Sequence, residues 1–239
     1  MIDFSKIKVV LVETSHPGNI GSAARAMKTM GFKNLFLVTP KCQINEISYA
    51  MASNAGDVLD DAIVFNSLSE ALSDCDYIIG ATARQRDIPI EIFNPREVAK
   101  KINIKQFKSI ALLLGNEARG LTNEQLSLCS IGLHIPCNKD YTSLNIASSL
   151  QIMLYEILFE SKNEASNINK IDKNDIASHE KLMSFLSHLD KVLKNINFIK
   201  DDRPMISRKI NYIFKKSDLS EEEINILRGF LSAIENHSQ

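Results

Sequence analysis

The chain has 239 residues, 44% of them hydrophobic and 24% charged, which is ordinary for a globular protein and enough for one large domain with a small appendage. Its longest apolar runs, KIKVVLV and SIALLLG, fall far short of the ~20 residues of a membrane span, and no basic start with an apolar core opens the chain, so a cytoplasmic protein without membrane attachment is expected. A formal net charge of −1 leaves any nucleic-acid contact to local patches, and the scattered Cys42, Cys75, Cys129 and Cys137 predict neither a disulfide framework nor a metal site.

Apolar runs alternate with helix-like segments through the first two thirds of the chain. VVLV precedes ARAMKTM, LFLV precedes EISYAM, AIVF precedes SEALSDC, and YIIGA precedes PREVAKK; IALLLG then precedes NEQLSLC, and LHIP precedes the long SLNIASSLQIMLYEILFE. Continuous rather than alternating apolar strands, each followed by a helix, predict an α/β fold: a parallel sheet with helices on both faces. Local chemistry marks the boundaries. Asn94 before Pro95 reads as a helix cap, Thr122 with Gln125 has capping-box spacing, and Gly31 stands where a helix should stop.

After residue 162 the texture changes. The stretch ESKNEASNINKIDKND is polar and aperiodic, and the spacing predicts a linker over 163–177 between a domain at 1–162 and a helical unit at 178–239. In that unit Leu182, Phe185, Leu186, Leu189, Val192, Leu193 and Ile196 mark one face of a helix. MISRKINYIFKK after Pro204 fits a second helix, and Ser220 with Glu223 forms a capping box for a third.

Three loops with unusual chemistry fall where strands should end: HPGNIG after the first strand, GNEARGL (residues 115–121), and PCNKDYTSLN (residues 136–145). ATARQR (residues 81–86) is a fourth. In an open parallel sheet, ligands bind beyond the carboxyl ends of the strands, so these loops can share one site. Each has a purely structural explanation too: glycines turn the chain, Ser143 caps a helix, and Arg25 lies solvated on a helix face. The glycine spacing fits neither G-x-G-x-x-G nor a P-loop, and no acidic residue closes the second strand, which disfavours a dinucleotide-binding dehydrogenase.

Together, LVETSHPGNIGSAARAMKTMG, LLLGNEARGLTNEQL and IPCNKDYTSLNIASSLQ closely resemble the three motifs of the SPOUT-class RNA ribose 2′-O-methyltransferases, and ILRGFLSAIE adds a resemblance to their TrmJ-type branch. The resemblance covers nearly the whole chain and is weakest through the linker. It implies a C-terminal trefoil knot in the α/β domain, a homodimer, S-adenosylmethionine bound in the knot loops without a metal, and a tRNA substrate methylated on the ribose of the pyrimidine nucleotide at position 32. Residue by residue, it implies catalytic roles for Asn19, Arg25, Glu117, Ser143 and Asn145. The cofactor contacts it implies are Ala81, Thr82, Ala83 and Arg84; Leu114, Gly115, Asn116 and Gly120; and Ile135, Ser143 and Leu144. TrmJ-type chains often carry Arg where Asn116 stands here.

Arg25 has two readings, general base or fixed cation. A guanidinium pKa of ~12.5 to 13.8 makes deprotonation near pH 7 cost roughly 7 to 9 kcal/mol, against which a cation stabilising negative charge on the attacking oxygen needs no such penalty. For RNA affinity, the stretch 200–216 concentrates Arg203, Arg208 and Lys209 among other cations, and ATARQR adds Arg84 and Arg86. Two other readings stay open: a ribosomal RNA ribose methyltransferase, and a catalytically silent RNA-binding dimer.

Overall fold

The computed structural model describes residues 2–83, 89–105, 107–140, 144–162, 176–199 and 204–237. In chain order the elements are β1 (Ile7–Val12), α1 (Pro17–Met30), β2 (Asn34–Val38), α2 (Glu46–Ala52), α3 (Gly56–Asp60), β3 (Ile63–Phe65), α4 (Leu68–Leu72) and β4 (Tyr77–Ala81). Next come β5 (Ile92–Phe93), α5 (Pro95–Lys105), β6 (Ile110–Leu114), α6 (Asn123–Ser127), β7 (Ile131–Leu133) and α7 (Ile146–Lys162). Three more helices follow: α8 (His179–Asn195), α9 (Pro204–Lys216) and α10 (Glu221–His237).

The seven strands form one sheet in the order β3-β2-β1-β6-β4-β7-β5, with every pairing parallel. Period-two side-chain alternation splits each buried strand between two cores. Ile7, Val9 and Leu11 of β1 join Leu35, Ile79 and Leu112 against α1, α5 and α7. Val10 and Val12 join Ile78, Leu113 and Val38 against α4 and α6. Because both faces are covered, the strands read as continuous apolar runs.

Two strands differ from expectation. LHIP predicts a strand at 133–136, but β7 ends at Leu133 beside the two-residue β5, and Pro136 has no N–H to extend a ladder. Gly132 breaks the apolar signal of the true strand, and β5 is too short to show a period. The caps at Asn94 and Thr122 form reciprocal bonds with Glu97 and Gln125, and Gly31 closes α1 at φ 85°.

The three C-terminal helices enclose their own core, in which Phe185, Leu186 and Val192 of α8 meet Ile224 and Leu231 of α10, and Phe185 packs edge-on to Phe214 at 5.1 Å. Ser220 and Glu223 bond reciprocally at the start of α10. This unit docks on the α4 and α6 side of the sheet. The N–H groups of His179 and Glu180 donate to the carbonyls of Cys75 and Ser73, Lys215 donates to the Ser127 carbonyl, and Asp218 pairs with Lys105. The expected linker lies almost wholly outside the described residues.

Since all strands are parallel, the segments after β1, β4, β6 and β7 leave from one edge of the sheet. β6 inserts between β1 and β4 although it follows β5 in the chain, which brings the motif after β6 beside the motif after β1.

Candidate active site

The stretch HPGNIG is the cap and first turn of α1, not a loop. Pro17 takes the first helical position with its preset φ, and His16 is the cap, its Nδ1 accepting from the Gly18 N–H at 3.0 Å. The glycines serve packing. A Cβ on Gly18 would lie 3.0 Å from the His16 ring, and one on Gly21 would lie 2.0 Å from the carbonyl oxygen of Ser48 in α2. Ser48 completes that contact by donating its hydroxyl to the Pro17 carbonyl at 3.0 Å. The spacing of Gly18 and Gly21 therefore reflects a helix cap and a helix–helix contact, and neither glycine forms a phosphate cradle.

Glu117, in the turn after β6, gathers the first motif. Its carboxylate accepts from the Ser15 N–H at 3.1 Å, the Ser15 hydroxyl at 2.8 Å and the Asn19 amide at 2.9 Å. Burial pushes its pKa up, but the bonds from Asn19 and Ser15 outweigh that and hold it below the ordinary carboxylate value. Asn145 extends the chain of contacts. Its Oδ1 caps α7 by accepting from the Ala147 N–H at 2.8 Å, while its Nδ2 donates to Asn19 Oδ1 at 3.2 Å. Asn19, Glu117 and Asn145, from three motifs, thus form one hydrogen-bonded set. Glu117 therefore holds Asn19 of the first motif.

Arg25 is exposed on α1, two turns from the helix start, and its carbonyl accepts from the Thr29 hydroxyl at 2.8 Å. Ser143, Arg84, Arg86 and Arg203 lie outside the described residues. Arg208 and Lys209 are exposed on α9; Arg208 borders a second cleft, of about 230 Å³, shared with Glu124, Tyr212 and Lys215.

Beside the Glu117 set opens a cleft of about 190 Å³ lined by Ala81, Thr82 and Ala83 after β4, by Leu114, Gly115, Asn116 and Gly120 around the β6 turn, and by Ile135 and Leu144 before α7. These are all nine described residues among the expected cofactor contacts. The turn depends on two glycines: a Cβ on Gly115 would meet the Gly120 carbonyl carbon at 2.2 Å, and Gly120 itself has φ 68°. Asn116 borders the cleft but spends its amide on structure. Its Nδ2 donates to the Glu13 carbonyl at 2.9 Å and its Oδ1 accepts from the Ala118 N–H at 3.0 Å.

Sequence reasoning missed Ser15, whose type and place carry no signal. It also missed Arg119, Cys137 and Ser149, which line the cleft. Arg119 stands inside the GNEARGL motif and was available to a reading that looked past the carboxylate. Burial raises the thiols of Cys75 and Cys129 to about 11 and about 12, so both stay protonated at neutral pH. Among the described residues no cluster of three metal-ligating side chains occurs, and no helix is long and apolar enough to cross a membrane.

Comparison with known proteins places this geometry. The SpoU rRNA methylase family matches residues 6–155, and the C-terminal domain of the tRNA methyltransferase TrmJ matches residues 180–239. A Haemophilus influenzae protein named as an uncharacterized tRNA/rRNA methyltransferase is 40% identical over 232 residues, 96% of this chain and 94% of its own. The tRNA (cytidine/uridine-2′-O-)-methyltransferase TrmJ of Sodalis glossinidius is 39% identical over 238 residues, 98% of this chain and 92% of its own. The crystal structure of TrmJ from Z. mobilis superposes with a TM-score of 0.82 at 30% identity, covering 95% of this chain and 98% of that one.

Proposed function

Because this chain belongs to the SpoU rRNA methylase family and ends in a TrmJ-type C-terminal domain, we propose that it transfers a methyl group from S-adenosylmethionine to the ribose 2′-OH of a pyrimidine nucleotide in tRNA, at position 32 of the anticodon loop. The observation that supports this reading best is the joining of three motifs through Asn19, Glu117 and Asn145, beside the cleft that Glu117 lines.

The cleft suits the cofactor. Small residues (Ala81, Ala83, Gly115) leave room, apolar side chains (Leu114, Ile135, Leu144) offer a dry surface for a purine ring, and the backbone between Gly115 and Gly120 supplies polar groups. Bound there, S-adenosylmethionine supplies an activated methyl on a sulfonium, and no metal is needed. The chain's own residues then aim a poor nucleophile and stabilise its charge. Glu117 and Asn145 hold the Asn19 amide in place beside the cleft, and the Arg25 guanidinium offsets negative charge growing on the 2′-oxygen. Ser143 and Asn145 position the ribose, with Asn145 also capping α7.

The knot, a cytoplasmic homodimer, and tRNA contact by Arg84, Arg86, Arg203, Arg208 and Lys209 belong to the same reading, as does the division into domains at 1–162 and 178–239 joined by a linker. The test is transfer of labelled methyl from S-adenosylmethionine to an unmodified tRNA transcript, with nuclease digestion and mass spectrometry. A 2′-O-methylated pyrimidine at position 32 is expected; methyl on a base, or incorporation into ribosomal RNA fragments only, would overturn it.

A further inference from the structure

Glu13 and Thr39 each follow a strand directly and each adopt a left-handed backbone, at φ 52° and 43°. Non-glycine residues are strained in that region and persist there only where neighbours enforce them. Here the neighbours do. The Glu13 N–H donates to the Val38 carbonyl at 2.9 Å, the Glu13 carbonyl accepts from Asn116, the Thr39 N–H donates to Phe65 at 3.0 Å, and the Lys41 N–H donates to Thr14 at 2.9 Å. The result is a fixed carboxylate between two cations: one Glu13 oxygen lies 3.7 Å from Lys41 Nζ and the other 3.5 Å from Arg119 Nη2.

Those pairs are loose. Charge-assisted bonds run at about 2.7 to 2.9 Å, and the Lys41 and Arg119 side chains are 56% and 73% exposed. The Lys41 ammonium carries three N–H donors, and at 3.7 Å the Glu13 carboxylate engages them only weakly. Arg119 also borders the cofactor cleft, two residues from Glu117, which clamps Asn19. We propose that Lys41 and Arg119 form a binding site for a backbone phosphate of the RNA substrate, with Glu13 as the resident counter-ion that gathers the two cations before the RNA arrives. The geometry matches: the O–P–O edge of a phosphodiester presents two oxygens much as the Glu13 carboxylate does, and a target ribose in a strand has a phosphate on each side. This inference rests on the RNA-methyltransferase reading.

The test is filter binding of an unmodified tRNA transcript across about 50 to 200 mM salt, where each neutralised phosphate adds to the slope of log K against log salt. Lys41→Ala and Arg119→Ala are each expected to make that slope shallower by about 0.7 to 0.9. Glu13→Gln removes the competing charge and is expected to tighten binding about threefold at low salt. A tie that merely joined the loops predicts the reverse, weaker binding in Glu13→Gln. If that variant does not fold, the Lys41→Ala slope still decides. Unchanged slopes in both cation variants, with a wild type that binds and methylates tRNA, overturn the phosphate site alone. A wild type that binds no RNA overturns the functional reading and this site with it.

Discussion

Replacing Glu117 by glutamine tests how the site is built. The carboxylate accepts three bonds, two from Ser15 and one from Asn19, at 2.8 to 3.1 Å. A glutamine has one acceptor oxygen and one NH2, so it can serve the Ser15 side or Asn19, and it turns a donor toward whichever donor remains. Bonds to a charged group contribute about 1.5 to 3 kcal/mol and neutral ones about 0.5 to 1.5, and the exposed turn lets water compensate in part, so the expected loss is about 1 to 2 kcal/mol. If the clamp acts by presenting Asn19, kcat/KM for tRNA methylation should fall about 5- to 30-fold, alongside a drop in unfolding temperature of about 2 to 4 °C for each kcal/mol lost. The decisive assay is a double-mutant cycle with Asn19→Ala, in which Glu117→Gln should then cost far less than in the wild type. Fully additive losses would refute a role through Asn19.

Arg25→Ala is expected to abolish methyl transfer while S-adenosylmethionine affinity by calorimetry stays near wild type, since Arg25 does not line the cleft; loss of cofactor binding would count against its assignment. Gly21→Ala should destabilise by about 3 kcal/mol or more in denaturant unfolding, because the new methyl would meet the backbone oxygen of Ser48, which no rotamer change can move. His179 is buried at the start of α8, and desolvation lowers its pKa from 6.5 to about 4. Below pH 6.5 the unfolded chain therefore takes up a proton that the folded chain refuses, so stability is lost as pH falls, by about 2 kcal/mol between pH 7 and 5. His179→Leu should remove that part of the pH dependence in thermal unfolding; an unchanged pH profile would contradict it.

The sequence alone determined whatever depends on neighbours along the chain. Uninterrupted apolar strands between helices specify a parallel sheet covered on both faces, because period-two alternation toward two cores leaves no polar stripe. Caps at Asn94, Thr122 and Ser220 were legible because their bonds span three residues. The motif residues could be named as well, since ordered short motifs survive in a linear reading. Tertiary structure decided what lies between distant segments. Gly21 is required by a carbonyl 27 positions later, and Glu117 meets Ser15 across 102 residues, so no local spacing exposes either. The two-residue β5 and the place of β6 between β1 and β4 follow from the packing of the whole sheet, and that insertion is what brings the motifs after β1 and β6 together, with Ser15 and Asn19 bonded to Glu117.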